Sequence, residues 1–303
     1  MAEDPCKWVF CVNERKMIIF VLSLLGLCFG SFVNALVWRL RMQESSKVKK
    51  KSNNKTNSKS ATYDYSVLRG RSICPNCQHR LAPLDLLPIV SWLALKGRCR
   101  YCKKPISWQY PLVELLTAIL FVVLYVFWPY TLLNSLPSIL WFILWLVILT
   151  GLIALAVYDL KWLILPDKII KPLFVIGLVM VILQLVLIDR SNQNLSQIAL
   201  STLIGGGIFW VLFQLSKGKW IGGGDVKLGF LLGLVLQKPL YAFLYIFIAS
   251  ILGMLYSAPM LLVKKIKPTS KVPFGPFLII GAIVTLFFGQ QIFNWYLSLL
   301  IIK

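Results

Sequence analysis

Histidine is almost absent from this chain, with only His79 in 303 residues. That leaves no Ser-His-Asp set and no histidine-rich catalytic zinc site. Acid is nearly as scarce: eleven Asp and Glu stand against 32 Lys and Arg, for a formal charge of +21. The short alternating segments of a membrane β-barrel are missing as well. What the chain has in quantity is apolar length. Hydrophobic residues make up 58% of it and its mean hydropathy is +0.76, too apolar for a soluble domain of this size.

Apolar runs recur at 17–38, 112–128, 137–157, 169–188, 198–215, 226–236, 239–263 and 273–301. Most are long enough to cross about 30 Å of hydrocarbon as helices, and in lipid only helices or closed barrels satisfy their own backbone. The pattern predicts an all-α polytopic membrane protein with about eight transmembrane helices, the run at 226–236 being the short one. Run 17–38 exceeds the apolar core of a signal peptide and is followed at once by Arg39 and Arg41, so it reads as a retained first helix.

Lys and Arg set the orientation. Segment 39–111 carries sixteen, and the stretches 158–171, 216–227 and 264–271 bring that side to 26 of the 32. The positive-inside rule makes this side cytoplasmic. The excess charge then reflects topology and attraction to anionic membrane lipids, and no nucleic acid is expected as a partner. Three regions follow: 1–38 with the first helix, a basic cytoplasmic module over 39–111, and a transmembrane domain over 112–303. Within the module, the Lys/Ser/Asn tract at 43–66 has too little apolar content to order itself.

The module also holds Cys74, Cys77, Cys99 and Cys102, two C-x-x-C pairs about twenty residues apart. In a reducing compartment this spacing fits a tetrahedral structural zinc site better than disulfides. With four cysteines present, His79 is a bystander. Cys28 reads as a small apolar residue of its helix, and Cys6 and Cys11 are left open as thiols or a pair.

Four acids stand at helix boundaries on the predicted cytoplasmic side: Glu114, Asp159, Asp167 and Asp225. Ionisable groups at membrane depth are functional candidates. Asp159 ends the third run and Asp225 opens the sixth, so alternating chain direction brings both to one face. Two carboxylates a few ångströms apart share a proton, one acting as base on water and the other as acid. Gly222, Gly223 and Gly224 let the backbone before Asp225 approach a neighbour closely. A plain helix cap is the alternative role for Asp225. Asp167, after Pro166, reads as the N-cap or the first residue of a helix. Lys161, Lys168 and Lys227 either tune the carboxylates or mark the interface, and Gly205–Gly207 allow tight helix packing.

Six stretches occur in one order: GSFVNALVWRL (30–40), the double C-x-x-C module with LPIVSWLALKGRCRYC, ISWQYPLVELLTA (106–118), YDLKWLILPD (158–167), GGGDVKLG (222–229) and PFGPFLIIGA (273–282). In this the chain resembles the prepilin peptidases, or type IV leader peptidases, membrane aspartic proteases of the GxGD type. The resemblance implies that Asp159 and Asp225 are the catalytic pair. It further implies that 112–303 is the peptidase domain, with Asp167, Lys227 and the three glycines supporting the site. The implied substrates are type IV prepilins and pseudopilins, cut after a basic leader at the cytoplasmic face of the bacterial inner membrane. It also implies N-methylation of the new amino terminus with S-adenosylmethionine, a part with which the position of Glu114 is associated. The sequence departs from the family pattern at Asp85 and Leu86. A reading from another class, an ion-coupled transporter using intramembrane carboxylates, requires acids near the midplane and internal repeats; the acids lie at one face.

Overall fold

The computed structural model describes residues 5–52, 66, 70, 72–128, 135–188, 192–262 and 272–301. Its helices are α1 (Pro5–Ser52), α2 (Val90–Ala94), α3 (Gln109–Val126), α4 (Leu136–Trp162), α5 (Asp167–Leu183), α6 (Asn192–Ser216), α7 (Gly223–Leu236), α8 (Pro239–Leu262) and α9 (Gly275–Ile301). Among the described residues there is no strand beyond two isolated bridges, Ile73 with Arg80 and Arg98 with Pro105. Each of the eight apolar runs carries a helix over most of its described length. Seven helices are long and apolar enough to cross a bilayer: α1, α3, α4, α5, α6, α8 and α9. The eighth, α7, has 14 residues and spans about 21 Å, less than the hydrocarbon core. It is instead enclosed by its neighbours, with Val226, Leu228, Gly229 and every residue from Leu231 to Leu236 buried.

The chain folds as two compact units, Met1–Val126 and Phe127–Lys303. The amino-terminal unit pairs α1 with α3 and carries the cysteine-bearing loop between them. Val33, Val37 and Leu40 of α1 and Val113, Phe121 and Leu124 of α3 form its apolar core. One expectation is corrected here. The tract expected to be disordered from residue 43 is helical as far as Ser52. Once a membrane span has nucleated a helix, each further residue adds a hydrogen bond, and Gln, Glu and Lys are good helix formers. An Arg41–Glu44 ion pair at 3.7 Å lies on this extension. Residues 53–65 lie outside the described residues.

The carboxy-terminal unit gathers α4 to α9, with α6 laid along α7 and α8 and with α4 against α5 and α9. The α6–α7 contact is made backbone to backbone. A Cβ at Gly205 would sit 2.7 Å from the Gly229 carbonyl oxygen and 3.0 Å from the Gly233 Cα, so the helices can approach this closely only with glycine there. Two buried hydroxyls bind the seam. Tyr245 donates to the carbonyls of Gly205 (3.0 Å) and Gly229 (3.2 Å), and Ser201 donates to those of Gly233 (2.8 Å) and Lys238 (3.1 Å). The tight packing expected of the glycine run is therefore found at Gly205, whereas Gly207 faces open space.

This contrast makes a prediction. Gly205→Ala should lower stability by about 1–3 kcal/mol through overpacking, read as an earlier thermal midpoint in detergent. Gly207→Ala should be neutral or stabilising by up to about 1 kcal/mol. Equal behaviour of the two variants would show that the seam is not close-packed.

Candidate functional site

In the carboxy-terminal unit, α4 ends at Trp162 and the chain turns at Leu163, a left-handed residue (φ 55°) whose N–H closes on the Asp159 carbonyl at 2.8 Å. Asp159 thus occupies the last turn of α4 and is buried. The reversal over Ile164, Leu165 and Pro166 starts α5 at Asp167, which takes the first helical position, one of the two roles open to it, with Pro166 as the N-cap. On the other wall, Gly222 is the N-cap of α7 and Asp225 its third residue. Asp225 is therefore not the cap itself. Its carboxylate is turned back toward the cap, with Oδ2 3.3 Å from the Cβ position of Gly222.

Three helix ends converge on these carboxylates. Gly275, the first residue of α9, donates its N–H to Asp159 Oδ2 at 3.1 Å. A Cβ at this position would lie 2.7 Å from that oxygen, so any larger residue would displace the carboxylate. Leu165 joins the two sides. Its side chain lies 3.0 Å from the Cβ position of Gly224 and 3.5 Å from that of Gly275. The charge on Asp159 acts directly on Asp225. At the rim, Lys227 Nζ donates to Asp167 Oδ1 at 2.7 Å, tying the first turn of α7 to that of α5. Lys161 lies over the Trp162 ring at 5.6 Å.

The structure thus brings together Asp159, Asp225, Gly222, Gly224, Asp167 and Lys227, while Gly223 faces Phe213 at 3.8 Å. Glu114 belongs to the other unit. Gly275 was missed as a site residue, although it stands in the PFGPF stretch. The signal was a glycine followed by proline at the start of an apolar run, the sequence of a helix start free of Cβ obstruction.

The cysteine loop of the amino-terminal unit is built as two near-copies. In each, the first Cys accepts an N–H···S bond from the second and third residues after it: Asn76 and Cys77 on Cys74, Tyr101 and Cys102 on Cys99. In each, its carbonyl accepts the N–H four residues on, Gln78 or Lys103, at 2.9 and 3.0 Å. Both of those residues have positive φ, 59° and 57°. The four thiols are free, and their sulfurs all lie within 4.8 Å of one another, with Cys74 and Cys102 3.9 Å apart. Four sulfurs at 2.3 Å from one tetrahedral zinc ion stand about 3.8 Å apart, so the quartet fits that ion.

Burial pushes the Cys74 thiol up to about 11. Burial acts on Cys99 in the same sense, but the N–H groups of Cys102 and Tyr101 and the neighbouring thiols together bring it down to about 7. His79 is outside the quartet and stacks on Tyr101 at 3.6 Å. Asp85, to which sequence reasoning gave no role, fixes the second copy. It accepts from Arg100 Nε at 2.7 Å, Tyr101 Oη at 3.3 Å and the Ala82 N–H at 3.2 Å. The side chains of Cys6 and Cys11 lie outside the described residues.

Comparison with known proteins places this geometry in a family. Residues 24–128 match the bacterial Peptidase A24 N-terminal domain and residues 146–258 match the type IV leader peptidase family. The chain is 32% identical over 289 residues to the prepilin leader peptidase/N-methyltransferase of Aeromonas salmonicida, covering 93% of each. It is 34% identical to the protein of the same name from Pseudomonas aeruginosa, covering 98% of this chain and 96% of that one. It is 32% identical to the type 4 prepilin-like proteins leader peptide-processing enzyme of Escherichia coli, covering 86% and 91%. No solved structure matches the chain. With its membrane helices, its four-cysteine loop and these relatives along nearly its whole length, the chain belongs to the type IV leader peptidase family.

Proposed function

We propose that the chain is a membrane aspartic endopeptidase that uses Asp159 and Asp225 to remove the basic leader of type IV prepilins and pseudopilins. It then methylates the amino terminus it exposes, with S-adenosylmethionine as donor. The observation that carries this reading is the convergence of two carboxylates, far apart in sequence, on the starts of α7 and α9. The chain also offers no histidine beyond His79 for any other hydrolytic set.

Two carboxylates brought together within reach of each other's charge share one proton. The ionised one takes a proton from a bound water while the water oxygen attacks the scissile carbonyl carbon. The other gives its proton to the carbonyl oxygen. Collapse of the tetrahedral species returns the oxygen's proton and protonates the leaving amine. The Gly275 N–H fixes the Asp159 carboxylate before substrate arrives, and Asp225 is held beside Gly222 in the first turn of α7, so little reorganisation remains for the reaction itself. Asp167 and Lys227 brace the rim, and Gly223 and Gly224 keep the approach to Asp225 narrow.

The side of the membrane follows from charge. The loops after Asp159 and before Asp225 lie on the side that holds 26 of the 32 Lys and Arg, which the positive-inside rule makes the cytoplasmic face of the inner membrane. A substrate cut where its own apolar helix leaves the bilayer needs carboxylates at helix ends, and Asp159 and Asp225 stand in a last and a first turn. An ion-coupled transporter would place its acids in the middle of broken helices, and that reading is set aside.

In the amino-terminal unit, Cys74, Cys77, Cys99 and Cys102 would hold a structural zinc ion. Four sulfur ligands leave no open position, so the ion supplies shape and no hydrolysis.

Asp159→Asn or Asp225→Asn should each reduce cleavage of a pilin-like precursor by at least about a thousandfold, with unchanged yield of folded protein in the membrane. Normal cleavage by either variant would sink the pair. Cys99→Ser should bring zinc from one per chain to well below one and lower the thermal midpoint, as read by metal analysis and calorimetry. Full zinc occupancy in that variant would contradict the four-sulfur site.

A further inference from the structure

One apolar stretch of the amino-terminal unit belongs to no membrane span. Residues 81–95 run LAPLDLLPIVSWLAL, with Asp85 and Ser91 as their only polar members. The stretch is too short to cross a bilayer. The chain folds it into a 3₁₀ turn over Pro83–Leu86 and the short helix α2. Neither hides its side chains. Leu84, Leu87, Val90 and Leu93 are 65%, 46%, 61% and 62% exposed, and nearby Trp108 is 73% exposed. Apolar surface of this kind, held together in one place, is unfavourable in water and marks an interaction site.

Two helices measure how deep this stretch lies. The Ile89 N–H donates to Glu114 Oε2 at 2.7 Å, which ties the turn before α2 to the second turn of α3. With 18 residues α3 is about 27 Å long, so a hydrocarbon core of about 30 Å takes all of it. Glu114, five residues beyond Gln109, is then about 7.5 Å inside the start of the helix. The other ruler is α1, whose Gly30 is level with Glu114: a Cβ there would fall 2.5 Å from the Glu114 Cα. Arg39, the first charge after the apolar run of α1, comes nine residues later, about 13 Å along the axis. One glutamate side chain is too short to carry the turn back out to Arg39. Ile89 therefore lies on the membrane side of both boundaries.

The backbone suits a place without water. Pro83 and Pro88 have no N–H to satisfy. The N–H groups of Ala82, Asp85, Ser91, Leu93 and Leu95 are bonded to Asp85 Oδ2 and to the carbonyls of Ala82, Leu87, Ile89 and Ser91. Ile89 takes φ 59° and ψ −50°, and the Val90 N–H closes on the Pro88 carbonyl across it. This is a strained γ-turn on a β-branched residue. The N–H it would leave bare is the one that Glu114 accepts, and a bare N–H is what lipid does not tolerate.

The exposed surface continues onto a membrane span. The Trp92 ring meets Trp108 at 4.2 Å and its Nε1 donates to the Ile106 carbonyl at 3.3 Å. From Trp108 the exposed positions Leu112, Leu115, Leu116 and Ile119 follow at helical spacing along α3. At the other end the stretch is followed by Lys96, Arg98, Lys103 and Lys104, all exposed. No acid occurs between Asp85 and Glu114, and Asp85 is paired with Arg100.

We propose that residues 81–95 enter the leaflet on the side of the four-cysteine loop. The four exposed aliphatic side chains lie among acyl chains, Trp108 sits at the interface, and the four basic side chains rest on anionic headgroups. The cysteine loop then stands on a foot fixed in the membrane and is not a free module in water.

The test places a nitroxide side chain at Val90 or Leu93, as a non-canonical amino acid, in the full-length protein in nanodiscs containing phosphatidylglycerol. Spin relaxation is read with oxygen, which partitions into lipid, and with a water-soluble nickel chelate. The references are Leu116 on the exposed face of α3 and Glu44, fourteen residues beyond Gly30 on α1. Labels at Val90 and Leu93, in protein of normal thermal midpoint, should give the oxygen-to-nickel ratio of Leu116. The ratio of Glu44 would overturn the proposal, since the stretch then faces water. Shielding from both reagents would overturn it as well, since the rest of the chain, a second copy or a substrate helix then covers the patch. In nanodiscs of neutral lipid alone both labels should move toward the nickel side, and an unchanged ratio there would overturn the headgroup contact. If neither labelled chain folds, labels at Leu84 and Leu87 decide by the same outcomes.

Discussion

The 3.1 Å hydrogen bond from the Gly275 N–H to Asp159 Oδ2 joins the last turn of α4 to the first residue of α9, and the rest of the carboxy-terminal site is arranged around it. A carboxylate at the start of a helix meets unpaired N–H groups and the positive end of the helix dipole. Asp225 stands in the first turn of α7, with its carboxylate turned back to Gly222. Two carboxyl groups are thereby brought together at helix ends. The contact that holds Asp159 comes from backbone.

The amino-terminal unit solves a different problem with similar means. Its loop is too small to form an apolar core, and the near-identical turns at Cys74 and Cys99 converge on one point by sulfur and backbone geometry. Asp85 locks the second turn through Arg100 and Tyr101. Below the loop, Glu114 holds the strained Ile89 in place.

Much of this was legible in the residues. Apolar run length carried the helices, including the shortness of α7, because bilayer thickness imposes a length on any spanning segment. The scarcity of acid and the alternation of chain direction carried the pairing of Asp159 with Asp225. Cysteine spacing carried the quartet. What could not be read depends on tertiary apposition or on unusual backbone. No local pattern says that Gly275 donates to an aspartate 116 positions earlier. None says that Ile89 adopts φ 59°, since propensity argues against it. The continuation of α1 through Lys47 to Lys51 was hidden by composition: solvated lysines signal disorder in isolation but extend a helix that a membrane span has already started.

The central claim is that water, activated by Asp159 and Asp225, attacks the scissile carbonyl with no covalent enzyme intermediate. Single-turnover cleavage of a pilin-like precursor in nanodiscs, in oxygen-18 water with added hydroxylamine, tests it most directly by mass analysis of the released leader. The account predicts a leader whose new carboxylate carries one oxygen from solvent, and no hydroxamate at any hydroxylamine concentration. A leader hydroxamate that rises with hydroxylamine would reveal an acyl-enzyme and contradict the account.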